Sequence, residues 1–419
     1  MPELKALKDT KTLLESGKVS EAQINRMAKS ILRTCIAMEF YDRSQQDAKY
    51  LNKFEEHEQV ALAVAREGVV LLKNEGNILP INKDKTRKIV ATGKYLTEIA
   101  HGGGAATVLG YNNITLVDAL CAEFGNQVEM VEVTNEQKIA AADLVLLSIG
   151  TFDSEGCDKS FDLPDNELNI IKRVLDLNKN SVVIVNTGAG INMSPWLAQA
   201  AAVLYAWYGG QTGNQAVAEI LSGAVNPSGK LPISIEKQFA DSPAYGYLPA
   251  GEQLYTGWPQ DEYGHPIYNV EYKEGIFVGY RWYEHQNIKP LFAFGYGLSY
   301  STFEYCDLKL SCTQFAMGDK VDVTFTIKNT SKVAGAEIAQ VYVQDVASSL
   351  PRPVKELKGF QKVGLKPGEK KRVKIILHSE DFSYWHPDFK RWYAEPGEFN
   401  ILVGSASDQI LLKETVVLQ

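Results

Sequence analysis

The sequence lacks the residues that would point to several common protein classes. Its 419 residues include only five cysteines, an odd number, and no two of them form a CxxC pair. This spacing indicates neither a zinc ribbon nor a disulfide scaffold. The six histidines are dispersed, so no metal cluster is indicated either. The net charge of −8 leaves no basic stripe for a nucleic-acid partner.

Long apolar runs are also missing. No stretch is long enough to span a membrane, and the first residues, MPELKALKDTKTLLESG, lack the apolar centre of a signal peptide. We therefore expect a soluble protein with no membrane partner, and the sequence predicts no compartment. The length predicts two to three domains, and a hydrophobic content of 45% is ordinary for a globular protein.

The first regular element is a helix predicted over residues 20–38. Ser20 and Gln23 form a capping-box pattern at its start. Apolar residues recur at helical spacing, at Ile24, Met27, Ile31 and Met38. A helix with one apolar face needs a partner surface, and the polar residues that follow do not supply it.

Strands and helices then alternate. Residues 55–74 predict a helix that runs into an apolar segment. Short runs rich in Val, Ile and Leu predict strands at 88–92, 127–133, 143–149, 181–187 and 202–208. Helical patterns lie between several of these runs, at 114–124, 164–178 and 213–222. This order is typical of an α/β sandwich with a largely parallel sheet and helices on both faces.

Residues 241–300 differ, because they are rich in Tyr, Gly, Pro and Trp. We expect a crossing segment that packs on a domain surface and contains a strand or two, notably at 274–284. From about residue 303 the apolar period becomes two. Strands are predicted around 321–327 and at 335–345, 354–362, 370–378, 390–394, 397–404 and 409–418. Such a series of short strands is typical of an immunoglobulin-like or fibronectin III-like β-sandwich. Cys306 and Cys312 both lie near its first strand, so we expect no disulfide between its sheets.

The strongest candidate site is the stretch DSEGCDKSFDLP, residues 153–164. It follows the apolar run 143–150, and ligand sites in open α/β sheets form outside the carboxyl ends of strands. Glu155 therefore lies where a catalytic acid would lie. A neighbouring glycine lets a ligand approach the backbone, and Asp158 and Lys159 supply nearby charges. The alternative is an ordinary solvated loop glutamate.

Two other patterns leave alternatives open. HGGGAAT (101–107) resembles the oxyanion segment of some lipases, but no GxSxG pentapeptide supplies a nucleophile, so a tight turn or a binding-site wall remains. GxGxxG is absent, which removes the phosphate contact of a dinucleotide fold. The aromatic segments 205–211 and 277–285 could stack on sugar rings, although aromatic residues at strand ends more often belong to the core.

Many segments resemble, in order, the C-terminal half of glycoside hydrolase family 3, the β-glucosidase-like enzymes. The segments that carry the resemblance include ILRTCIAMEFYDR (31–43), AREGVVLLKNEGNILPI (65–81), DSEGCDKSFDLP, AWYGGQTGNQAVAEILSGAVNPSGKLPISI (206–235), PLFAFGYGLSYSTFEY (290–305) and PVKELKGFQKVGLKPGEKKRV (353–373). The resemblance implies a retaining glycosidase with three parts. These are a TIM-type barrel that holds an aspartate nucleophile, an α/β sandwich that supplies the acid/base glutamate, and a fibronectin-like domain.

Glu155 falls on the acid/base position that this resemblance implies. The family pattern E-G-x-D-R is EGCDK here, so Lys159 replaces the usual arginine. A compact ammonium charge therefore stands in place of a planar guanidinium group. Asp158 and Lys159 are implied to bind substrate or to support the loop. The resemblance implies no metal and no organic cofactor.

The main departure from the family is the barrel. A TIM barrel takes roughly 250 residues, and a Ser/Thr-Asp-Trp-like nucleophile triplet does not occur in this sequence. We predict a remnant of the last barrel helix with a linker at 1–45, an α/β sandwich domain at 46–300 and a fibronectin III-like sandwich at 301–419.

The predicted function is hydrolysis, with retention, of terminal β-D-glycosidic bonds in a β-glucoside or related oligosaccharide, as a β-glucosidase-type enzyme would perform it. It would need a barrel-containing segment or subunit for the nucleophile. The alternative is a non-catalytic carbohydrate-binding or scaffold module that keeps the fold.

Overall fold

A computed structural model of the chain describes residues 9–108, 110–155, 159–246 and 271–419. The chain divides into two compact units, residues 1–59 and 60–419. Among the helices of the described ranges, none combines the length and apolar character that a bilayer span requires.

The first unit is helical. It contains α1 (Thr10–Glu15), α2 (Glu21–Ala37), a 3-10 helix (Ala48–Lys53) and the start of α3 (Phe54–Gly68). The predicted capping box is confirmed, because Gln23 N donates to Ser20 Oγ at 3.2 Å and Ser20 N donates to Gln23 Oε1 at 2.8 Å. No residue of α2 is buried. Its apolar stripe is open, with Met27 59% and Ile31 65% exposed.

The second unit begins with an α/β sandwich domain. Its strands are β1 (Val70–Asn74), β2 (Ile89–Gly93), β3 (Val128–Met130), β4 (Leu144–Gly150), β5 (Ser181–Asn186) and β6 (Ala202–Tyr205). Its helices are α4 (Leu116–Phe124), α5 (Glu136–Ala140), α6 (Asp165–Leu177) and α7 (Gly213–Ser222). The strand order is β1-β6-β5-β4-β2-β3, and only β1 runs antiparallel to its neighbour. The predicted largely parallel sheet is confirmed.

Strand β4 shows why both faces of this sheet are covered. All of its residues are buried, and alternate side chains enter two separate cores. Val145 and Leu147 pack in the core that α6 covers, whereas Leu146 packs in the core that α4 and α7 cover. The strand order reverses at β2, which lies between β3 and β4. The segment that carries Glu155 therefore leaves β4 beside a topological switch point, where α/β sheets bind ligands.

The structure completes one sequence interpretation and corrects another. The apolar end of 55–74 is the edge strand β1, because α3 ends at Gly68 and the chain then pairs with β6. The strand predicted at 274–284 is instead helix α8 (Tyr280–His285). Gly279, at φ 57°, is the residue from which the helix starts, and Tyr280 and Tyr283 bury one helical face at a spacing of three residues. The rest of the crossing segment, at 247–270, lies outside the described residues.

The last part of the chain is a β-sandwich, as predicted. Its strands are β7 (Phe303–Leu310), β8 (Gln314–Phe315), β9 (Lys320–Asn329), β10 (Gly335–Asp345), β11 (Glu356–Leu365), β12 (Lys370–His378), β13 (Tyr384–His386), β14 (Arg391–Tyr393), β15 (Gly397–Ala406) and β16 (Gln409–Leu418). A five-stranded sheet, β11-β10-β15-β16-β8, packs against a three-stranded sheet, β12-β9-β7, and β13 and β14 form a separate hairpin. Cys306 and Cys312 are free thiols in this structure.

The open stripe of α2 generates a prediction about self-association. Exposed apolar faces promote association, and burying one Met or Ile side chain is worth about 1.5–3 kcal/mol. The double variant Met27→Glu/Ile31→Glu should therefore raise the dissociation constant of any dimer of this chain at least about tenfold. Sedimentation velocity over a concentration series measures this constant. Ser30→Glu/Ala37→Glu adds the same charge away from the stripe and should leave association unchanged. A monodisperse wild-type monomer would contradict the prediction.

Candidate active site

The site begins at the last residue of β4. A Cβ atom at Gly150 would lie 2.1 Å from the carbonyl oxygen of Asn186 in β5, so only glycine fits this approach. Thr151 N donates to the same oxygen at 3.0 Å and extends the ladder by one residue. The chain therefore leaves the carboxyl edge of the sheet in a fixed direction.

The glycine-rich segment HGGGAAT forms a wall against this loop. Gly103 pairs with Ser154 in a β-bridge, and Ala105 N donates to Glu155 Oε2 at 3.1 Å. Gly104 has φ 61°, and a Cβ atom there would lie 2.9 Å from Glu155 Cβ. The glycines thus allow a tight turn whose backbone holds the Glu155 carboxylate. The rest of the Glu155 side chain is exposed.

A second carboxylate, Asp153, lies inside the loop. Its Oδ1 accepts from the Thr151 hydroxyl at 2.9 Å and lies 3.2 Å from Lys159 Nζ. Its Oδ2 accepts from Gly188 N at 2.6 Å and from the Thr187 hydroxyl at 3.2 Å. Both oxygens are therefore occupied by groups of the protein. Asp153 is placed to hold the loop, and it is not free to attack a substrate.

Lys159, which replaces the arginine of the family pattern, points into the protein. Besides Asp153, its Nζ lies 3.0 Å from the Thr187 hydroxyl and 3.2 Å from the Gly190 carbonyl oxygen. Three oxygens at these distances satisfy an ammonium group, which has three donors and needs no planar partner. Asp158 lies outside the described residues.

Burial and charge act in opposite directions on this pair. Burial alone would raise the pKa of Asp153, but the Gly188 N–H, the Thr151 hydroxyl and the Lys159 charge together hold it below its ordinary value. Burial lowers the pKa of Lys159, and the Asp153 carboxylate only partly offsets this effect. The pair is therefore a half-buried ion pair whose charged state depends on its hydrogen bonds.

Tyr208, which follows the end of β6, contacts the loop. Its hydroxyl donates to the Thr151 carbonyl oxygen at 3.0 Å and accepts from Asp153 N at 3.0 Å. Burial raises the pKa of Tyr208, which keeps the hydroxyl protonated and able to do both. Of the aromatic residues that were candidates for sugar stacking, Tyr205 and Tyr283 are core residues instead.

Sequence reasoning singled out Glu155 and Lys159, which the structure brings to one loop. It missed Asp153, Thr187 and Tyr208 as partners of that loop. Asp153 lies within the candidate stretch itself, so a carboxylate two residues before Glu155 was the available signal. The other two contact Asp153 from 34 and 55 residues away, and no local pattern marks them. Within the described ranges, no group of three His, Cys, Asp or Glu side chains could hold a metal ion.

Comparison with known proteins adds to this geometry. Residues 69–300 match the model of the glycosyl hydrolase family 3 C-terminal domain, and residues 337–407 match a fibronectin type III-like domain. The chain belongs to glycoside hydrolase family 3. These two matched segments fall within the domains predicted at 46–300 and 301–419, whose boundaries stay predictions.

Several family 3 relatives are similar over nearly the whole chain. Thermostable beta-glucosidase B of Acetivibrio thermocellus is 35% identical, with 99% of this chain and 55% of the relative covered. An exo-alpha-(1->6)-L-arabinopyranosidase of Bifidobacterium breve is 34% identical, with 97% of this chain and 54% of the relative covered. The crystal structure of a family 3 β-glucosidase from Bifidobacterium adolescentis superimposes with a TM-score of 0.82 at 30% identity, covering 100% of this chain and 61% of that one. The chain thus spans about half the length of the curated relatives it matches.

The Asp153 contacts predict a pH-dependent contribution to stability. Because the folded pKa of Asp153 is lowered, its contribution is present above the unfolded value of about 3.9 and is lost as pH falls through the folded pKa. Asp153→Asn should lower the free energy of unfolding at pH 7 by about 1–3 kcal/mol, the usual cost of buried groups left without partners.

This difference between wild type and Asp153→Asn should shrink as pH falls below about 4. Urea titrations at several pH values measure it. Asp84→Asn, which removes an exposed carboxylate, is the control and should change little at any pH. A wild-type advantage that grows on acidification would contradict the assignment.

Proposed function

We propose that this chain supplies the acid/base half of a retaining β-glycosidase that removes terminal β-glucosyl residues. The observation that carries the proposal is the position of Glu155. Its carboxylate follows β4 at the carboxyl edge of the sheet and accepts a hydrogen bond from Ala105 N at 3.1 Å, while its remaining surface is exposed to a ligand. Family membership supports glycoside chemistry at this edge.

The proposed chemistry uses Glu155 twice. It first donates a proton to the leaving glycosidic oxygen and later removes a proton from the water that hydrolyses the glycosyl-enzyme. The retaining mechanism also needs a second carboxyl group about 5–5.5 Å away. Asp153 does not suit this role, because both of its oxygens already accept hydrogen bonds from the protein.

We therefore propose that the nucleophile, an aspartate by family resemblance, comes from a barrel-containing segment or subunit. The relatives' greater length supports this proposal, since this chain covers only 55% of the Acetivibrio thermocellus protein. The exposed stripe of α2 is proposed as part of the surface that such a barrel covers. The proposed substrate is a β-glucoside or a related oligosaccharide.

The supporting residues have distinct proposed roles. Lys159 and Asp153 position Glu155 by holding the loop to Thr187 and Gly188. Asp158 is proposed to support the loop or to bind substrate. In this arrangement the lysine serves as a buried point charge and makes no direct contact with the leaving group.

The proposal predicts how the complete enzyme, in which this chain is combined with a barrel-containing segment or subunit, responds to loss of Glu155. Glu155→Ala should slow hydrolysis of a disaccharide by roughly 10²–10⁴-fold, the range typical of general acid–base catalysis. Formation of the glycosyl-enzyme from an activated aryl glucoside should suffer far less, because its leaving group needs no proton. Azide needs no deprotonation, so added azide should restore turnover and yield a β-glycosyl azide.

Asp158→Ala is the control for this experiment. It should weaken the reaction without azide rescue if Asp158 only supports the loop. The measurement is product formation with and without azide for both variants. Wild-type rates for Glu155→Ala on the disaccharide, or rescue confined to Asp158→Ala, would show that the acid/base lies elsewhere.

A further inference from the structure

The β-sandwich carries a groove that the proposed catalytic chemistry does not use. Its volume is ≈ 530 Å³. This lies within the roughly 300–1,000 Å³ of small-molecule sites. Its lining includes Pro351, Pro353, Tyr384, Trp385, Pro387 and Trp392.

Two tryptophans form one side of this groove. Trp385 and Trp392 face each other across the β13–β14 hairpin, with ring centroids 6.1 Å apart and planes at 80°. They are 54% and 67% exposed. Exposing two such rings side by side is costly in water and marks interaction sites. Below them, His386 stacks on Phe389 at 3.9 Å, which stiffens the hairpin that presents the rings.

The opposite side of the groove is polar, and its charges are paired. Arg352 lies 2.8 Å from Asp345 and 3.3 Å from Glu356, and Arg281 lies 3.7 Å from the same Glu356. The Arg352 guanidinium also lies over the Tyr384 ring at 4.9 Å. Each of these charges has an opposite partner, so a charged ligand would gain little here. Guanidinium N–H groups and carboxylate oxygens still offer donors and acceptors to neutral hydroxyl groups.

We propose that this groove binds a neutral β-linked gluco-oligosaccharide, at a site separate from Glu155. A β-glucosyl ring has equatorial hydroxyl groups around its rim and C–H groups on its faces. The faces can stack on Trp385 and Trp392, while the rim hydroxyls reach Arg281 and Glu356. The paired charges of the groove favour this ligand over an anionic or cationic one. The site would hold an oligosaccharide near the enzyme without taking part in bond cleavage.

The test is direct binding of cellohexaose to the full chain by isothermal titration calorimetry. Wild-type protein should bind, and Trp385→Ala and Trp392→Ala should each weaken binding at least about tenfold, because each removes a large apolar contact. Trp392→Phe, which keeps an aromatic face, should retain part of the affinity. The matched control is Phe360→Ala, which removes an equally exposed ring, 70% exposed, from β11 outside the groove. Its affinity should equal that of the wild type.

Binding must also be independent of the proposed catalytic residue. Glu155→Gln should bind cellohexaose as the wild type does, so failure of the acid/base proposal would leave this one intact. Absence of cellohexaose binding by the folded wild-type chain, or wild-type affinity in both tryptophan variants, would overturn the inference. It would also be overturned if the tryptophans proved to mediate binding of a proline-rich peptide or dimerisation of this chain in place of sugar binding.

Discussion

The carboxylate of Asp153 is the contact on which the geometry of the candidate site depends. It collects hydrogen bonds from the loop itself, from the backbone after β5 and from Lys159. These contacts help to fix the direction in which Glu155 leaves the sheet. A proton donor must stay within hydrogen-bond reach of one oxygen atom, so holding this loop is a requirement of the proposed chemistry.

The same constraint explains why the family arginine can be a lysine here. An arginine offers a planar fork, but Lys159 meets three separate oxygens, from Asp153, Thr187 and Gly190. These oxygens surround the ammonium group and do not form one flat carboxylate partner. The compact ammonium charge of Lys159 therefore fits its pocket.

Much of the fold could be predicted from local patterns. The buried run of β4 and the alternation in β9 (Val321, Val323, Phe325, Ile327) are strong signals, because packing on one or two faces fixes their period. The segment at 274–284 could not be read this way. Its aromatic residues fit the period of a helix as well as the period of a strand. The positive φ of Gly279, where the helix starts, decides between the two.

The candidate site was predictable only in part. The position of Glu155 follows from the end of a strand and from family resemblance, whereas its supports are tertiary. Tyr208 and Thr187 reach the loop from other strand ends, and their roles depend on distances that no sequence period encodes. The tryptophan pair of β13–β14 likewise becomes visible only once the hairpin register brings the two rings together.

The central claim is that this chain holds one carboxylate of a two-carboxylate site. The most direct measurement is hydrolysis of an aryl β-glucoside by the purified chain, alone and after addition of a barrel-containing family 3 half. The account predicts no turnover above background for the chain alone, because no nucleophile forms the covalent intermediate, and turnover that requires Glu155 once the barrel half is added. Turnover by the single chain that Glu155→Gln abolishes would contradict it.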